Sequence, residues 1–95
     1  MKITVDALKA NGHGHADVAP FSVEVALAVD GVHHAYRVRC HPGIVPNLAV
    51  MLLEPDAAFR RDMAAAPRAK GRVLQIIGRL LAGEAVALPM TIDSV

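Results

Sequence analysis

Ninety-five residues, 54% of them apolar and 20% charged, describe one globular domain with a modest core and exclude a chain disordered throughout. Ten Lys and Arg against nine Asp and Glu leave a formal charge of +1, so the total charge selects no strongly charged partner. A single cysteine excludes an internal disulfide, and no apolar run approaches the ~18 residues of a membrane helix, so a reducing, cytoplasmic setting of bacterial type with no membrane partner is expected.

The first element is "KITVDAL", where Ile3 and Val5 alternate with Thr4 and Asp6, as in a strand with one buried face. From Lys9 to Pro20 the periodicity disappears, and "KANGHGHAD" suggests a long mobile loop over 9–20. The clearest segment follows. In "FSVEVALAVDGVHHAYRVRC" apolar residues alternate up to Val29, Asp30 and Gly31 intervene, and alternation resumes at Val32. An Asp-Gly pair suits a two-residue type I′ turn, whose central positions both need positive φ. Counting outward then sets the register of a hairpin over 21–40. Leu27 faces His34, Val25 faces Tyr36, Val23 faces Val38 and Phe21 faces Cys40, all toward the core. The opposite side pairs Ala28 with His33, Ala26 with Ala35, Glu24 with Arg37 and Ser22 with Arg39. A slip of one residue would exchange the two faces.

Beyond "HPG" at 41–43, "PNLAVMLLEP" has two readings. Asn47 can cap a short helix over 48–53, and the six consecutive apolar residues also suit a buried strand; the helix is preferred. "EPDAAFRRDMAAAP" reads as a helix with Pro55 at its first position, Asp56 in its first turn, Phe59 and Met63 one turn apart, and Pro67 as its end or kink. The strongest helix spans 68–82. It stacks Val73, Leu74, Ile76, Ile77, Leu80 and Leu81 on one face, with Gly83 placed to end it. Last, Val86, Leu88, Met90 and Ile92 alternate, and Pro89 marks this strand as an edge. The chain is therefore expected to be a single α+β domain over 1–95. Its antiparallel sheet should have about four strands around the central hairpin 21–40, with two or three helices packed on one face.

Three features bear on function. Five histidines raise metal binding. His33 and His34 are neighbours on a strand and point to opposite faces. His33 and His41 are roughly 26 Å apart at ~3.3 Å per strand residue. That leaves His13, His15 and His41 as the ligand candidates, with Asp17 as a fourth, although their spacing is not that of known zinc sites. The second feature is basic. Arg68, Lys70, Arg72 and Arg79 crowd the 68–82 helix, and Arg68 and Lys70 occupy a first turn where acidic residues are preferred. This face is a candidate for a phosphate, a carboxylate or a nucleic-acid backbone, although aromatic residues needed inside the core leave no base-stacking platform. The third is the small, flat outer face of the hairpin, with Ala26, Ala28 and Ala35 as candidate interface residues for a protein partner or a second copy in a homodimer.

Catalysis finds little support. Ser22, Thr91 and Ser94 have no histidine placed beside them, carboxylates do not pair, and "GHG" lacks the spacing of a phosphate loop. No cofactor is expected. The reading is a non-enzymatic protein-interaction or self-associating module, with nucleic-acid or anion binding second and metal binding third.

Overall fold

A computed structural model describes residues 2–11, 21–42 and 51–93, and within the strands the side chains of Asn11, Phe21, Pro42, Met51 and Leu52 lie outside the description. Five strands form one antiparallel sheet: β1 (Ile3–Asn11), β2 (Phe21–Val29), β3 (Val32–Pro42), β4 (Met51–Pro55) and β5 (Met90–Ile92), in the spatial order β4-β3-β2-β1-β5. Two helices, α1 (Ala57–Asp62) and α2 (Pro67–Leu81), lie between β4 and β5 in the chain. The first four strands run as a meander. The helices then carry the chain across to the far edge, where β5 pairs with β1. This is the expected α+β class, with five strands among the described residues where about four were expected, and two helices.

The hairpin forms as its turn chemistry dictates. Asp30 and Gly31 have φ of 51° and 84°, both positive as type I′ requires. All pairs from Val29 with Val32 out to Phe21 with Cys40 match the register counted from the sequence. The turn is also tied to the start of β1, because the Lys2 N–H donates to the Asp30 carboxylate at 2.7 Å and the Asp30 N–H donates to the Lys2 carbonyl at 2.8 Å. Val23, Val25, Leu27, Tyr36, Val38 and Cys40 all lie in the core.

β1 is longer than its alternation suggests, running to Asn11 so that only 12–20 of the expected loop remain, and those residues lie outside the description. The reason is a bulge. Val5 pairs with Leu27 and Ala7 with Ala26, so Asp6 is an extra residue in the ladder. A bulge resets which face each following side chain takes. Leu8 and Ala10 consequently pack against the core while Lys9 is exposed; unbroken alternation would have driven Lys9 inward.

Residues 51–55 correct the helical reading of 48–53. They form edge strand β4, with Leu53 across from Cys40 and Pro55 across from Val38; residues 47–50 lie outside the description. Leu53 takes the half-buried core side while Glu54 is exposed, and Pro55 is tolerated at the end of an edge strand that needs no further donor. Pro55 is thus the last strand residue, and Asp56 is the N-cap of α1. One Asp56 carboxylate oxygen accepts from the Phe59 N–H at 2.8 Å. The other accepts from the Arg37 N–H at 3.0 Å, and the Asp56 N–H donates to the Arg37 carbonyl at 3.0 Å. One residue therefore ends the ladder and starts the helix.

α1 is short, and its one-turn pair Phe59 and Met63 is fully buried. A turn at 63–65 separates it from α2, so Pro67 begins the second helix rather than ending the first, where its missing N–H costs nothing. On α2 the buried residues are Ala69, Val73, Ile76 and Ile77, with Leu74 and Leu81 packed half-buried beside them. Gly83, at φ 85°, follows the Ala82 C-cap as expected. β5 is an edge strand of only three residues; Val86 and Leu88 precede it outside regular structure and still pack on the core.

Candidate functional site

The helices cover one face of the sheet, the face carrying Ile3, Val25, Leu27, Tyr36 and Val38. Side chains of the opposite parity form the other face, and the pairing of adjacent strands arranges them in rows. Ala35, Ala26 and Ala7 make one row across β3, β2 and β1. On one side of it lies Arg37, Glu24 and Lys9, a row of alternating sign in which Arg37 Nη2 and Glu24 Oε1 are 3.9 Å apart. Both partners are at least half exposed, so the pair adds little stability and mainly sets a charge pattern.

On the other side of the alanines, His33 Nδ1 and Asp6 Oδ2 meet at 3.3 Å. These residues belong to β3 and β1, so their contact passes over Ala28 of β2. The bulge at Asp6 and the small Ala28 make that reach possible. Beyond it, Thr4 and Thr91 hydroxyls are 3.4 Å apart across β1 and β5. Ala7, Lys9, Glu24, Ala26, Ala35 and Arg37 line an open groove of about 740 Å³ on this face. The sequence-derived interface residues are therefore brought together: Ala26 and Ala35 lie in the groove, and Ala28 lies beneath the His33–Asp6 contact. Sequence reasoning missed Ala7 and Lys9. Their placement depends on the bulge, whose signal is present in the sequence as a change of phase between Val5 and Leu8.

The edges of the sheet are less suited to contact with another strand. β5 has three residues following Pro89, and β4 has five ending in Pro55, both short and proline-bounded in the way that discourages edge-to-edge pairing.

The basic residues of α2 are not gathered into one site. Arg68 and Arg72 flank a groove of about 620 Å³ against Met90, Thr91, Ile92 and Asp93. Lys70 lies outside that lining, and Arg79 is exposed in the last turn. The first turn has no acidic residue, and Ala66 provides no side-chain cap, so the cationic start seen in the sequence is preserved. Asp93 places a carboxylate in the same groove, and the Arg72 guanidinium donates to the Gln75 side chain at 2.7 Å.

Of the metal candidates, His13 and His15 lie outside the described residues, as does Asp17. His41 is on β3, and its Nε2 is 3.8 Å from the Glu54 carboxylate, beyond hydrogen-bond reach. That nitrogen is buried and has no hydrogen-bond partner among the described residues. No group of three potential ligands is found among the described residues. His34 takes the core side as the register requires, but it is half-buried, stacked on Tyr36 with ring centroids 5.8 Å apart. Cys40 points inward and is fully buried, which pushes its thiol above its usual range.

Tyr36 holds the helical layer to the sheet. Its hydroxyl donates to the Asp62 carboxylate at 2.8 Å, and its ring meets Phe59 edge-on at 5.4 Å. Burial, followed by the bond to Asp62, pushes the Tyr36 phenol up to about 12. The same bond, together with that from Arg61, holds the Asp62 carboxyl below the usual carboxylate range. The network is structural, since its phenol stays protonated and its carboxylate stays charged near neutral pH.

Fold and site together define a helix-backed antiparallel α+β domain; among the described residues nothing covers the second sheet face, and no helix is long and apolar enough to cross a membrane. No protein-family model, curated protein or solved structure matches the chain.

Proposed function

We propose that the chain is a non-enzymatic interaction module that docks a protein partner, or a second copy of itself, through the open face of its sheet. The observation that carries this reading is the Ala7–Ala26–Ala35 row bordered by the charges of Lys9, Glu24 and Arg37. Small side chains let another surface approach closely, and a polar rim around an apolar centre is the ordinary anatomy of a protein interface. Among the described residues both helices lie on the other face of the sheet, and none covers this one. The buried Cys40 suits a reducing compartment, and we place the module in the cytoplasm.

The test compares capture from the protein's own cell extract by immobilised wild type, Ala26→Arg and Arg79→Glu. Ala26→Arg should lose the retained protein while Arg79→Glu keeps it. Equal retention by all three would refute the reading. Binding abolished by nuclease and by Arg79→Glu would favour the second reading, nucleic-acid or anion contact through Arg68, Arg72 and Arg79, which the uncapped basic start of α2 supports. Metal binding through His13, His15 and His41 ranks third, since His41 Nε2 is the one member whose surroundings are described.

A further inference from the structure

Resting on the reading of the open face as a docking surface, we infer that its occupant is an α-helix of a different protein. This helix lies across the strands along the Ala7–Ala26–Ala35 row and presents acid, base and acid on successive turns.

Shape selects a helix. The three alanines pair in a row that crosses β1, β2 and β3, and larger side chains border it on both sides. One border is the Lys9–Glu24–Arg37 row. The other is the Thr4–Ala28–His33 row, where the contact of His33 with Asp6 at 3.3 Å closes the gap above Ala28. From Glu24 to Ala28 on β2, and from Arg37 to His33 on β3, the borders stand ~13 Å apart at ~3.3 Å per residue. An α-helix with its side chains is ~10–12 Å across and fits between them. A second sheet packs with its strands within about 30° of alignment, so it would have to run over both borders.

Charge selects the stripe. Lys9, Glu24 and Arg37 succeed one another at the ~4.8 Å spacing of adjacent strands. Residues one turn apart on a helix are ~5–6 Å apart, so acid, base and acid on successive turns meet all three with opposite charge. The row can turn toward such a partner. Glu24 and Arg37 are exposed and approach each other no closer than 3.9 Å, and Lys9 is exposed and forms no ion pair among the described residues.

The two helices of this chain lack that stripe. Between them α1 and α2 carry one carboxylate, Asp62, which is already bonded to Tyr36 and Arg61. The helix therefore comes from another protein.

The test uses two alanine-based helical peptides, one with Glu, Lys and Glu on successive turns and its inverse with Lys, Glu and Lys, each titrated into the isotope-labelled protein and read by NMR. The first should bind roughly tenfold tighter, since three exposed ion pairs turn from attraction to repulsion in the second. It should also move the amide signals of Ala7, Ala26 and Ala35. Lys9→Glu, Glu24→Lys and Arg37→Glu combined invert the row and should invert the preference, while Ala26→Arg obstructs the space between the borders and should abolish binding of either peptide. Circular dichroism of each variant verifies that the fold is retained. Equal affinity for the two peptides, no binding of either, or a preference unchanged by the inverted row overturns the inference. In any of those cases, loss of the retained protein with Ala26→Arg in the extract experiment would leave the docking surface standing, with an occupant of another shape or charge.

Discussion

Titration of Tyr36 offers a direct test of how the helical layer is fastened to the sheet. This residue is the only tyrosine in a chain without tryptophan, so the absorbance of tyrosinate reports one site. Its phenol is pushed from 10.0 to about 12, first by burial and then by donation to Asp62. A raised value means that folding favours the protonated form. The resulting stability is complete below pH 10 and is lost as pH rises through about 12. At ~1.4 kcal/mol per unit, this gap is worth at most ~2.7 kcal/mol, and because Asp62 is partly open to solvent the contribution should be about 1 to 2 kcal/mol. Tyr36→Phe keeps the ring contact with Phe59 and loses the bond to a charged acceptor, so it should destabilise by a similar ~1 to 2 kcal/mol in denaturant unfolding. Asp62→Asn should lower the phenol's midpoint without returning it to the free value, because burial is the larger cause. The assay is a spectrophotometric pH titration, with circular dichroism recorded in parallel to verify that the fold persists. A midpoint near 10 in folded protein would refute the placement of Tyr36 under the helices.

Other consequences are equally open to measurement. On the acid side, the depressed Asp62 carboxyl contributes stability above the ordinary carboxylate range and loses it as pH falls through its lowered value; Asp62→Asn should flatten that part of a plot of melting temperature against pH. Phe59→Ala empties a fully buried site between α1 and Tyr36 and should cost about 3 to 5 kcal/mol in chemical denaturation. Gly31→Ala forces a Cβ into the left-handed region at φ 84° and should cost about 1 kcal/mol, seen as a lower melting temperature. Deleting Asp6 removes the bulge yet leaves Leu8 inward and Lys9 outward, so the chain should still fold by circular dichroism. Deleting Leu8 instead would bring Lys9 to a core position and should abolish cooperative melting.

How much of this was legible depended on whether each residue pattern had one physical meaning. Asp30-Gly31 has one: it fixes a two-residue turn, and from it the register of nine pairs and the inward Tyr36 follow. The apolar run ending at Leu53 has two, because continuous hydrophobicity carries no period, and pairing with β3 decided for a strand. Pro67 was equally double-edged. A proline ends one helix or begins the next, and the turn at 63–65 made it a beginning. The alanine face was half legible. Ala26, Ala28 and Ala35 followed from the hairpin, while Ala7 and Lys9 required the phase change at Asp6, a break in alternation that resembles the end of a strand until a partner strand continues past it. Asp56 could be placed near a helix start from its type, but its second role at the end of β3's ladder comes only from tertiary contact.

The claim that the open sheet face is the working surface is tested most directly by cysteine footprinting inside cells. Ala35→Cys places a thiol in the alanine row, Gly71→Cys places one on the exposed side of α2 where nothing lies within 4 Å, and the native Cys40 is fully buried. With a maleimide added to intact cells, the thiol at 35 should react severalfold more slowly than in dilute purified protein, while the thiol at 71 reacts at the same rate in both. Equal rates for the thiol at 35 in the two settings would mean that nothing docks on this face.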